Sequence, residues 1–131
     1  MKPKILVIED NEQNMYLVTF ILEKYGCQVV QAWDGREGIE LARQVKPALI
    51  LLDIQLPVMD GYAVARELRS NLALADVPIV AVTSYAMVGD RERILAAGCA
   101  GYIEKPINPE MFIPEIEQYL PAQLSGGGDG S

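Results

Sequence analysis

Short apolar runs recur along the chain, each followed by a stretch whose apolar residues return every three or four positions. The runs are Ile5-Leu6-Val7-Ile8, Gln28-Val29-Val30-Gln31-Ala32, Ala48-Leu49-Ile50-Leu51-Leu52, Val77-Pro78-Ile79-Val80-Ala81-Val82 and Ala100 to Glu104. Continuous apolar runs of this length, bounded by turn residues, predict strands buried on both faces. The glutamines of the second run place it nearer an edge. The intervening periodicity predicts helices striped by Met15, Val18, Leu22 and Tyr25, by Gly38, Leu41, Ala42 and Val45, and by Val64, Ala65, Leu68 and Leu72, with a fourth from Met87 to Ala97.

Capping chemistry sets the boundaries. Asp10 or Asn11 is suited to open the first helix and Gly26 to close it. Asp34-Gly35 turns the chain, and the second helix must stop around Lys46 because Pro47 disfavours helical geometry before it. In the fourth helix Gly89 is a weak spot, Arg91, Glu92 and Arg93 face solvent, and Gly98 is the stop. The last helix has Asn108 as its cap and Pro109 in its first turn, while Pro114 predicts a kink or an irregular first turn. Strand and helix alternate five times, which requires a parallel sheet with helices on both faces and right-handed crossovers. The repeated units share no sequence motif, so the period is structural.

At 131 residues, the chain fits one domain of roughly 100–200 residues. That domain is expected over residues 4–120. Residues 121–131 form a Gly/Ser-rich tail with nothing to bury, expected to be flexible and to be either a linker or a non-native remnant. No apolar run approaches the ~18 residues of a membrane span. Glu9-Asp10 cuts short what would have been a signal peptide, so a soluble cytoplasmic protein is expected. The net charge of -7 disfavours nucleic-acid binding. The absence of histidine removes the usual general base and metal ligand. Cys27 and Cys99 form no CxxC pair and read as two buried thiols.

If the strands are parallel, their carboxyl ends share one edge, and Glu9-Asp10, Asp53, Thr83 and Lys105 become neighbours. Like-charged carboxylates repel by about 4 kcal/mol per pair at 4 Å and an effective dielectric near 20. A divalent cation relieves this, and all-oxygen ligands suit Mg²⁺ or Mn²⁺, with room for a phosphate oxygen. Asp53, which ends a wholly apolar strand, is then a candidate nucleophile for an acyl phosphate, with Thr83 and Lys105 supplying hydrogen bond and countercharge. Each residue alone has an ordinary structural reading: Glu9 and Asp10 as helix caps, Thr83 as a β-branched strand residue, Lys105 as a solvated amine, Tyr102 as a core aromatic. Independent structural needs would not place acid, acid, hydroxyl and amine along one edge in this order.

Glu9-Asp10, Asp53 in LLDIQLPVMDG, Thr83-Ser84 and Lys105-Pro106 together resemble the CheY-like receiver domains of two-component response regulators, over Lys4 to about Leu120. The TSYAMVGD and KPI stretches are most similar to stand-alone receivers of the DivK type and to receivers attached to hybrid kinases. The resemblance implies a doubly wound, flavodoxin-like sheet of strand order 2-1-3-4-5. It implies Asp53 as phosphoacceptor, Mg²⁺ held by Glu9, Asp10, Asp53 and the Gln55 carbonyl, Thr83 as a switching hydroxyl, Tyr102 as a switching aromatic and a cis Lys105-Pro106 bond. Glu in place of Asp at position 9 and Pro114 in the last helix depart from the usual pattern.

The implied function is a phosphorylation switch charged by a histidine kinase or phosphotransfer protein, because this chain has no histidine to act as donor. Self-phosphorylation from small donors and autodephosphorylation are expected as in the family. The readout face is expected at Ala86, Met87, Val88, Tyr102, Ile103 and the last helix. Trp33 has no functional reading. Two other readings come from different functional classes. One is an adaptor indifferent to phosphorylation. The other is an aspartyl-nucleophile phosphohydrolase, against which Gln55 occupies the place where the haloacid-dehalogenase type carries its second aspartate.

Overall fold

Five parallel strands lie in the order β2-β1-β3-β4-β5, as the resemblance implies. The computed structural model describes residues 2–84 and 87–120. The expected flexible tail and Ala86 lie outside them. The strands are β1 (Lys4–Ile8), β2 (Gln28–Ala32), β3 (Leu49–Asp53), β4 (Ile79–Thr83) and β5 (Gly101–Glu104). Between and after them run α1 (Glu12–Lys24), α2 (Gly35–Val45), α3 (Gly61–Arg69), α4 (Val88–Ala96) and α5 (Pro109–Glu117).

The strands' two-residue period builds two cores. Leu6, Ile8, Ile50, Leu52 and Ala81 face one layer with Ile39 and Ala42 of α2, Val64 and Leu68 of α3 and Ile94 of α4. Ile5, Val7, Leu49, Leu51, Val80 and Ile103 face the other, with Met15, Val18 and Leu22 of α1 and Phe112 and Ile116 of α5. Every residue of β3 and β4 is buried, as continuous apolar runs require when both faces are covered. β2, at one edge, buries only Ala32 fully.

Helix ends follow their caps. Asn11, not Asp10, caps α1 by accepting from Asn14 N–H. Gly26, at φ 99°, lets Cys27 N–H reach back to Leu22 O, the reversal that glycine permits. Asp34 does more than turn the chain. It caps α2 through Glu37 N–H while Glu37 Oε1 accepts from Trp33 N–H, a reciprocal capping arrangement that begins the helix at Gly35. Lys46 closes α2 in the left-handed region, at φ 45°, ahead of Pro47.

Three expectations change. Leu72 is not on α3, which stops at Arg69. It belongs to a 3₁₀ turn, Leu72–Leu74, capped by Asn71, and is 89% exposed while Leu74 takes the buried place. On α2 the fully buried stripe is Gly35, Gly38, Ile39 and Ala42, with Leu41 and Val45 only half-buried. Pro114 does not interrupt α5, which continues through it to Glu117. The proline leaves Glu110 O without its helical donor, and Glu110 is exposed, so water can serve it.

The loop after β3 folds back closely. Gly61 N–H donates to Ile54 O, and a Cβ at Gly61 would lie 2.4 Å from Ile54 Cα and 2.8 Å from Asp53 O. Backbone cannot yield as a side chain can. Gly61→Ala is therefore expected to destabilise the domain by about 1–3 kcal/mol, whereas Gly89→Ala, with nothing within 4 Å of its Cβ, should stabilise it by about 0.4–1 kcal/mol. Urea unfolding of both variants checks the opposite signs.

Candidate functional site

Parallel register brings the strand ends together. Ile8 pairs with Leu52, Asp53 with Val82, and Thr83 with Glu104. The ladder runs one step further, through Ile54 N–H to Val82 O and Lys105 N–H to Thr83 O. Glu9, Asp53, Thr83 and Lys105 thus meet at the carboxyl edge beside the point where the strand order reverses, between β1 and β3. Crevices of open α/β sheets form there.

Glu9, Asp10 and Asp53 each offer a carboxylate oxygen, and these oxygens lie within 4.8 Å of one another. Glu9 and Asp53 are buried, at 4% and 3% exposure, while Asp10 is open to solvent. Lys105 Nζ stands 3.2 Å from Asp53 Oδ1 and 3.7 Å from Glu9 Oε1. Asn11 N–H donates to Glu9 Oε2, and Gln55 N–H to Asp53 Oδ1. Three carboxylates against one ammonium leave the cluster short of positive charge. Burial first, and then the Asp53 carboxylate, push the Glu9 carboxyl up to about 7, against the smaller opposing pull of Asn11 N–H and Lys105. A proton answers there the same demand that a hard cation would answer. The donor set, all oxygen and without imidazole or thiolate, fits Mg²⁺.

The site residues expected from sequence converge. Thr83 is buried and its Oγ1 accepts from Gln55 Nε2 at 3.1 Å. The peptide bond Lys105-Pro106 is cis. Tyr102 is half-buried, with the Arg91 guanidinium 5.6 Å over its ring. Met87 and Val88 are 77% and 70% exposed. Ile103 does not belong to this face. It points the other way, buried with Val82 and Phe112, because neighbours on a strand alternate sides. Sequence reasoning also missed the Gln55 carboxamide, for which only the length of its side chain, two residues past Asp53, was a signal. Cys27 and Cys99 are buried free thiols, the latter pushed up to about 11 by burial.

Fold and edge chemistry together define a doubly wound domain with an acidic, lysine-countered crevice. The chain belongs to the response regulator receiver domain family, whose model matches residues 5–117. It is 42% identical over 120 residues to the polar-differentiation response regulator DivK of Brucella anthropi, covering 92% of this chain and 98% of that one. DivK of Brucella melitensis matches to the same extent. Among solved structures, the chemotaxis response regulator CheY4 of Vibrio cholerae superposes with a TM-score of 0.88 at 27% identity, covering 92% of this chain and all of that one. The receiver domain of sensor histidine kinase PA1611 from Pseudomonas aeruginosa, with a magnesium ion coordinated in its active site cleft, gives 0.83 at 34% identity, covering 91% and 98%. Such domains act as signalling switches and interact with histidine kinases or phosphotransfer proteins. Among the described residues, no helix is long and apolar enough to cross a membrane.

Without metal, a Glu9 carboxyl that protonates near 7 when folded and near 4.5 when free makes the folded state the better proton binder. Its contribution to stability is complete below pH 4.5 and is lost as the pH rises through about 7. Thermal unfolding of metal-free protein should show a melting temperature falling on the order of 5 °C across that interval. Glu9→Gln should flatten the dependence, and saturating Mg²⁺ should offset it.

Proposed function

We propose that Asp53 accepts a phosphoryl group from a partner's phosphohistidine and that the modification switches a protein-interaction face. The observation that carries this reading is a buried carboxylate, Asp53, whose Oδ1 lies 3.2 Å from Lys105 Nζ beside two further carboxylates. An Asp53 oxygen attacks phosphorus, the new P–O bond forms as the donor's P–N bond breaks, and the imidazole leaves with the electron pair. Phosphoryl transfer demands mainly alignment and countercharge. Mg²⁺ held by Glu9, Asp10, Asp53 and the Gln55 carbonyl would supply positive charge to the phosphoryl oxygens. Lys105 adds a second cation from the chain itself, and the Thr83 hydroxyl supplies a hydrogen bond. Glu9, longer than the usual aspartate and already engaged by Asn11 N–H and Lys105, suits a contact through water.

In this reading Thr83 moves toward the phosphoryl group and Tyr102 turns into the space behind it, changing the surface formed by Tyr102, Met87 and Val88. The exposure of Met87 and Val88 beside the half-buried Tyr102 supports a readout by protein contact. Release of the phosphoryl group to water resets the switch. The receiver unit is residues 4–120, and a cytoplasmic setting follows from a donor kinase that uses ATP.

Incubation with acetyl phosphate and Mg²⁺, followed by intact-mass measurement, is expected to show one added phosphoryl group on the wild type and none on Asp53→Asn. Lys105→Met should be labelled about 100-fold more slowly, the scale for losing one preorganised charge-stabilising donor. Equal labelling of Asp53→Asn would sink the assignment.

A further inference from the structure

The Gln55 side chain joins the loop after β3 to the exit of β4. Gln55 Nε2 donates to Thr83 Oγ1 at 3.1 Å, and Ser84 N–H donates to Gln55 Oε1 at 3.3 Å. Its backbone is fixed as well, since Gln55 N–H donates to Asp53 Oδ1 at 2.9 Å. One carboxamide therefore engages the hydroxyl and the next backbone N–H at the exit of β4, while its own root is tied to the carboxylate that would be modified.

A phosphoryl group on Asp53 presents strong acceptor oxygens. Thr83 O–H and Ser84 N–H are donors at the exit of β4, the strand paired directly with β3. Because Gln55 donates to the hydroxyl oxygen, it contests the position of Thr83 and does not itself occupy the hydroxyl proton. The Ser84 N–H carries one proton, and serving a phosphoryl oxygen means leaving Gln55. Conversion of the Asp53 carboxylate to an acyl phosphate removes the charge shared by its two oxygens, so Oδ1 also becomes a poorer acceptor for the Gln55 N–H that fixes the side chain's origin.

We propose that the Gln55 side chain is a latch on the unmodified state, holding Thr83 and Ser84 in their resting positions and releasing them when Asp53 carries a phosphoryl group. The inference rests on Asp53 as acceptor and gives Gln55 a positioning role separate from its backbone carbonyl. An interaction made in one of two states shifts their balance only by its differential strength. Two ordinary hydrogen bonds set that shift at roughly tenfold.

The test compares wild type with Gln55→Ala and with Gln55→Met, which keeps the length and apolar volume without the polar atoms. Each is titrated with beryllium fluoride, a tetrahedral phosphoryl mimic, at saturating Mg²⁺ and followed by amide NMR. The latch predicts a half-saturating concentration lowered about tenfold in both variants. Without the mimic, Ser84 N–H should exchange with solvent at least threefold faster, and the Thr83, Ser84 and Tyr102 resonances should move toward their mimic-bound positions. A purely structural role would lower the melting temperature without improving affinity for the mimic. An unchanged or raised half-saturating concentration in Gln55→Met overturns the proposal, as does unchanged Ser84 exchange. A wild type that ignores beryllium fluoride defeats the Asp53 reading instead, and Ser84 exchange then decides the latch by itself.

Discussion

Gathering three carboxylates around one ammonium at the rim of an apolar sheet is the constraint on which the rest of this structure turns. Repulsion of about 4 kcal/mol per close pair at intermediate dielectric would drive the side chains outward if the backbone allowed it. The backbone does not. Glu9 and Asp53 leave strands that are hydrogen-bonded side by side and buried on both faces, and Lys105 is held by the ladder bond from its N–H to Thr83 O. The stability of the two cores is thus spent on keeping an unfavourable charge arrangement together, one that favours protons and hard cations.

The same architecture explains how a change at one carboxylate can be felt at a distance. Asp53, Gln55, Thr83 and Ser84 are linked by short hydrogen bonds across two loops. Beyond them, β4 leads to α4, where Arg91 lies over Tyr102 and Arg93 sits 4.1 Å over the Tyr62 ring of α3. Sheet and buried helix faces form the packed frame, and in the proposed reading it is Thr83 and the half-buried ring of Tyr102 that move against it. A two-state switch of that kind would respond to a modification only by the difference in contacts between its states.

Much of this was legible beforehand. The five-fold alternation, the cap at Asn108, the burial of β3 and the meeting of Glu9, Asp10, Asp53, Thr83 and Lys105 all follow from local pattern plus the geometry of parallel strands, while the choice of Asn11 over Asp10 as the cap of α1 needed the structure. Leu72 was misplaced because its spacing from Leu68 fits a helix, yet Asn71 caps a new turn and hands the buried position to Leu74. Ile103 was misassigned because it was grouped with its neighbour Tyr102, whereas strand alternation sends the two to opposite faces. Trp33 acquires a local role through its N–H to Glu37, a bond that depends on where α2 starts.

The amino-acid sequence by itself determined which segments are strands and helices and which residues stand at the strand ends, because hydrophobic period, capping and proline chemistry act over a few residues. Tertiary structure alone decided which carboxylate shares which ammonium, how far Glu9 is pushed toward protonation, and that the Gln55 carboxamide bridges to Thr83 and Ser84. Those depend on distances of a few ångströms between segments far apart in the chain. Coulombic and hydrogen-bonding energies change steeply over such distances, and no local pattern encodes them.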